Sequence, residues 1–122
     1  MNWQIVFAGV GGAVMVIVGA YASHAGVDDV AHLWVETGVR YGFWHCLALL
    51  GTVALGKGAS SRWLAVSAVA FAAGVFLFSG SLFARALLDW SWVAPATPLG
   101  GMSFIAGWLL LAVHGLGRFG KG

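Results

Sequence analysis

Charge is scarce in this chain. Six basic and four acidic residues make up 8% of its 122 positions, where an ordinary globular domain carries about 25%. A water-soluble class is excluded on that ground alone. The formal net charge of +2 is small and dispersed, which argues against a nucleic-acid surface. Cysteine occurs once, at Cys46, so neither an intrachain disulfide nor a multi-cysteine zinc site can form. Cys46 lies within an apolar run, the setting of a buried, inert thiol. There is no H-E-x-x-H, no phosphate-binding glycine loop and no nucleophilic triad. No catalytic residue, metal or cofactor is therefore expected.

What the chain does hold is hydrophobic residues, 61% of the total, and 19 glycines. Glycine is commoner in membrane helices than in soluble ones. Apolar segments cover about 3–23, 38–56, 63–88 and 98–116, each near the roughly 20 residues needed to span a bilayer. The first ends in Ala20-Tyr21-Ala22, which resembles a signal-peptidase site. No Lys or Arg precedes its apolar run, so a retained helix is expected. Residues 24–37 are the most polar stretch, with Val27, Val30 and then Leu33 and Trp34 recurring at steps of three or four. They suggest a short amphipathic helix lying in the interface, or an extension of the second segment. Residues 57–62 form a short basic turn, 89–96 a second loop, and Pro98 suits a first helical turn. The expected fold is a single all-α domain over 1–122, an integral membrane four-helix bundle in the bacterial inner membrane.

Four spans place the N-terminus, the 57–62 turn and the C-terminus on one side. Lys57, Arg62, Arg118 and Lys121 fall there, whereas Asp28, Asp29, Glu36 and Asp89 fall on the other with Arg40 and Arg85. The excess of Lys and Arg predicts both termini in the cytoplasm. Trp3 and Trp63 then belong to the inner aromatic belt, and Trp34, Trp90 and Trp92 to the outer one.

Each segment carries small residues at steps of three or four: Gly9, Gly12, Val16, Gly19 and Ser23; Gly38, Gly42, His45, Leu49, Thr52 and Gly56; Ser67, Phe71, Gly74, Phe78, Ser81 and Arg85; Gly100, Ser103, Gly107, Leu110, His114 and Gly117. Lipid tails are as apolar as leucine, so helices associate in a bilayer through close packing and interhelical hydrogen bonds. The stripes predict a left-handed bundle whose large Leu, Val and Phe side chains face lipid.

Depth along the helices gathers a candidate polar pocket. His45 lies roughly 10 Å below the outer end of its segment, with Ser79 and Ser81 at similar depth. Tyr41 sits one turn above, Ser103 is nearer the surface, and Arg40 and Arg85 are expected at the mouth. His24, Glu36 and Thr97 are candidate outer-mouth residues. Two readings of His45 stand: a neutral imidazole making one structural hydrogen bond, or a ligand or proton site. His24, Asp28, His32, Glu36 and Arg40 recur every four residues with ligand types that suit zinc. Gly26 interrupts that row, and i,i+4 charge pairing such as Glu36 with Arg40 explains it without metal. His114, roughly 24 Å below the outer end of its segment, is too deep to share a haem iron with His45. The first segment has no carboxylate, which a small multidrug transporter needs for coupling.

Several stretches together resemble the YgdD/YwdK-like family of small bacterial membrane proteins, a domain of unknown function (423) with relatives in eukaryotes. They are Gly19-Ala20-Tyr21-Ala22-Ser23-His24-Ala25-Gly26, the run Glu36 to His45, Phe78-Ser79-Gly80-Ser81-Leu82-Phe83 and Thr97-Pro98-Leu99-Gly100-Gly101. The resemblance covers nearly the whole chain and departs from the family pattern at Ala22, Gly42 and Phe83. It implies four membrane helices and no established activity.

The leading functional expectation is a non-enzymatic protein of the lipid bilayer, either a homo-oligomer or an accessory subunit of a larger complex. The alternative is a small-molecule or ion carrier or channel using the outer polar layer. An enzyme, or a quinone- or lipid-binding site around His45 and Tyr41, comes third.

Overall fold

A computed structural model describes residues 1–119, with side chains to residue 117. The Arg118 side chain and Lys121, two of the four basic residues behind the topology expectation, lie outside the described residues. Four helices make up the described chain: α1 (Trp3–His24), α2 (Asp29–Gly58), α3 (Arg62–Leu88) and α4 (Ala96–Phe119). A single 3₁₀ turn, Ser91–Val93, bridges α3 and α4.

The starts and stops follow from local chemistry. Asn2 caps α1 by accepting from the Gln4 and Ile5 amides, Asp28 caps α2 through Ala31, and Ser61 caps α3 through Leu64. Gly26, at φ +66°, makes the turn between α1 and α2, and Asp89, at φ 56°, closes α3. Three helices, α1, α3 and α4, are long and apolar enough to cross a membrane. The fourth, α2, has 30 residues and a length of about 45 Å, more than the roughly 30 Å of hydrocarbon. Its charged residues gather near its two ends, at Asp29, Glu36, Arg40 and Lys57, while His45 and Thr52 between them are buried in the bundle.

No separate interfacial helix lies between the first two spans. Residues 29–37 continue α2 without a break, because Asp28 supplies a cap and nothing between it and Gly38 interrupts the helix. The polar stretch is thus the N-terminal part of α2 itself.

Packing runs in sequence order: α1 on α2, α2 on α3, α3 on α4. Glycine notches receive specific side chains. A Cβ at Gly38 would lie 2.7 Å from the Phe83 ring, at Gly107 2.7 Å from the Phe71 ring and at Gly11 2.7 Å from Cys46 Sγ. Gly42 receives Met15, and Gly74 receives Phe104. Phe71, Phe83, Phe104 and Met15 therefore point into the bundle as knobs, for the phenylalanines contrary to the expectation that they face lipid, whereas Phe76 does face outward. Leucines and valines such as Val10, Leu47 and Leu109 do face outward.

The small-residue stripes of α2 and α4 face the core, but two corrections arise. On α1 the buried positions are Ala8, Met15 and Ala22, one residue round from the expected stripe; Val16 is 62% exposed. Gly9, Gly11 and Gly12 support two adjacent faces equally well in sequence, and the fit of Met15 into the Gly42 notch decides between them. On α3 a wide π turn, Val75–Ser79, changes the register. Beyond it Ser79 and Leu82 become buried while Phe78 and Arg85 are only half-buried.

Candidate functional site

His45 sits on α2 where three helices meet. Its ring lies 3.6 Å from the Phe104 ring, centroid to centroid, in a stacked arrangement. Nδ1 is 2.6 Å from the Tyr41 carbonyl, one turn back on the same helix. The carbonyl can only accept, so Nδ1 carries the proton. The Trp108 indole N–H donates to Nε2 over 3.0 Å, so Nε2 is unprotonated. These two bonds fix one neutral tautomer.

Ser79 donates to the Gly38 carbonyl at 2.6 Å, joining α3 to α2. The π turn swings Ser79 to that side, while Ser81 faces α4. Ser81 donates to the Phe78 carbonyl at 3.0 Å and lies 2.5 Å from Thr97 Oγ1. Having spent its only proton, Ser81 accepts the threonine hydroxyl. Ser103 donates to the Ala70 carbonyl at 2.7 Å.

The structure therefore does not bring Tyr41, His45, Ser79, Ser81 and Ser103 into one network. Ser79 and Ser103 each bond a carbonyl of a neighbouring helix, Ser81 links its own helix to Thr97, and His45 bonds Tyr41 and Trp108. Tyr41 is exposed on its outer side, its ring 5.0 Å from that of Phe78. Arg40 lies on another side of α2, in a cleft with Gly19 and Glu36. Arg85 stacks its guanidinium 4.1 Å over the Trp34 ring. His24 ends α1 and is exposed. Glu36 pairs with His32 at 3.6 Å and not with Arg40. Thr97 belongs with Ser81. Among the described residues no three His, Cys, Asp or Glu side chains come together around a metal-sized gap.

Beside His45, α2 and α4 diverge and leave a lateral groove of about 950 Å³. Tyr41, Trp44, Phe78, Met102, Ile105 and Trp108 line it, so its wall is aromatic and it opens toward the hydrocarbon. A shallower notch of about 310 Å³ separates α1 from α2 on another face, beside Gly9, Gly12, Ala13 and Val16.

Sequence reasoning missed Trp108, which falls on the same face as Phe104 one turn earlier; that spacing was the available signal. It also missed a second polar set, toward the α2–α3 turn. Ser67 donates to the Gly107 carbonyl at 2.7 Å, Gln4 donates to Thr52 at 3.2 Å, and Ser61 Oγ lies 2.6 Å from His114 Nδ1. His114 Nε2 is buried with no partner among the described residues.

A family model described as "Protein of unknown function (DUF423)" matches residues 18–101. The UPF0382 inner membrane protein YgdD of Escherichia coli (strain K12) is 37% identical, over 99% of this chain and 95% of its own length. A UPF0382 membrane protein of Haemophilus influenzae is 33% identical over 91% of each chain. The UPF0382 membrane protein YwdK of Bacillus subtilis (strain 168) is 29% identical over 93% of this chain and 95% of its own. No solved structure matches the chain.

Proposed function

This chain belongs to the DUF423 family of multi-pass inner-membrane proteins of unknown function, and from its geometry we propose a non-enzymatic subunit that associates sideways with a second copy of itself through α1. The observation that carries this reading is the lipid-facing position of small residues on α1. A Cβ at Gly9 would meet nothing within 4 Å, and Gly9, Ala13 and Val16 are exposed beside the α1–α2 notch. In lipid such a face lets another helix approach closely. The carrier or channel alternative has less support, because His45, Ser79, Ser81 and Ser103 spend their hydrogen bonds inside the bundle.

Gly9→Leu tests it. The added side chain has room in the monomer, so thermal stability in detergent should match that of the parent chain. The self-association constant, measured by sedimentation or by light scattering, should fall at least about tenfold, the scale of a steric penalty of about 1–3 kcal/mol. A monomeric parent chain, or an association constant unmoved by Gly9→Leu, overturns the proposal; co-purification of a different membrane protein in its place points to the accessory-subunit role.

The same proposal includes topology, with both termini in the cytoplasm. Reporter fusions after Gly58 and at the C-terminus should report cytoplasm, and one after Asp89 the opposite side. A periplasmic C-terminus would overturn the charge argument.

A further inference from the structure

We propose that the cleft between the start of α1 and the α2–α3 turn holds the phosphate of an anionic phospholipid headgroup. The cleft measures about 350 Å³ and is lined by Asn2, Gln4, Thr52, Lys57, Ser60 and Ser61 together with apolar groups. This is a polar lining in a protein whose other large groove is almost wholly apolar. Some of these groups are already committed. Asn2 Oδ1 accepts from the first α1 amides, Ser61 Oγ accepts from Leu64, and Gln4 donates to Thr52. The Lys57 ammonium is not: the single ion pair among the described residues is His32 with Glu36.

Charge complementarity decides the occupant. Every acidic side chain of the sequence, Asp28, Asp29, Glu36 and Asp89, belongs to the opposite end of the bundle. Lys57 and Arg62 thus stand at an end without a side-chain carboxylate to neutralise them. Arg62 packs its guanidinium 4.9 Å over the Trp63 ring, which settles that side chain at headgroup level as aromatic belts do. Lys57 is left to meet an anion from the bilayer. A phosphodiester supplies acceptor oxygens for the ammonium and for the Asn2 and Ser60 donors. The acyl chains run past Val53 of α2 and Ala65 of α3, the apolar residues of the lining that are not buried.

The test uses the full chain in neutral detergent, titrated with phosphatidylglycerol, with phosphatidylcholine or with inorganic phosphate and followed by native mass spectrometry. Phosphatidylglycerol should bind in preference to phosphatidylcholine. Lys57→Gln should weaken that binding about fivefold, the effect of one basic residue near a charged headgroup. Arg40→Gln makes the same charge change at the other end and should leave it unchanged. Thermal stability of Lys57→Gln should match the parent, because Lys57 is exposed and makes no side-chain hydrogen bond in the bundle. Equal binding of the two lipids, or equal loss in both variants, overturns the proposal. Displacement of the lipid by inorganic phosphate at similar concentration also overturns it, by assigning the cleft to a free anion.

Discussion

Gly100→Ala should be the most damaging single methyl that can be added to this protein. At Gly100 the new Cβ would meet the Phe78 backbone, with the Phe78 Cα only 2.8 Å away. A side chain could rotate aside; a main chain inside a helix cannot, so α3 and α4 must separate. Overpacking of this kind costs about 1–3 kcal/mol for a methyl and more for a larger group. The neighbouring Gly101 gives the control, since a Cβ there would stand 3.9 Å from the Phe78 ring. Thermal unfolding in detergent, followed by tryptophan fluorescence, should show a large loss of stability for Gly100→Ala and almost none for Gly101→Ala. Equal tolerance would mean that α3 and α4 are not held at this distance.

The second large effect concerns His45. Replacing it with Leu removes the acceptor for the Trp108 indole N–H and the stacked ring on Phe104. No water competes for that N–H in hydrocarbon, and an unsatisfied polar group there is costly. The Tyr41 carbonyl loses less, because it keeps its helical partner. His45→Leu should therefore cost about 1–3 kcal/mol, whereas His45→Gln, which retains an acceptor, should cost less. Trp108→Phe in combination completes a double-mutant cycle. The combined variant should be less destabilised than the sum of the two single ones, since removing both partners leaves nothing unpaired. Strict additivity would refute the bond between them.

The hydrogen bonds of the outer layer explain why sequence depth alone grouped residues that do not share a network. Depth along a helix does not say which partner a side chain meets: Ser79 and Ser103 reach a carbonyl of the facing helix, Ser81 one of its own helix and the Thr97 hydroxyl. Which partner that is depends on rotation about each helix axis. On α3 the rotation changes at the π turn, for which Phe78-Ser79-Gly80-Ser81 gives no local signal beyond its glycine. Arg40 was misplaced for the same reason: one residue from Tyr41 in sequence, it is about 100° away round the helix.

Membrane insertion, the four helices and their order were determined by composition and by the apolar runs, because a bilayer demands long apolar segments with every backbone group satisfied within them. The faces of α2 and α4 were also legible, since Gly38, Gly42, His45, Leu49 and Thr52, and Gly100, Gly107 and His114, recur at helical spacing and are all buried. The face of α1, the register beyond the π turn and the pairing of His45 with Trp108 were decided by tertiary structure. Each depends on how a knob from one helix fits a glycine notch or a carbonyl on another, and that fit is set by interhelical distance and rotation, which no single segment encodes.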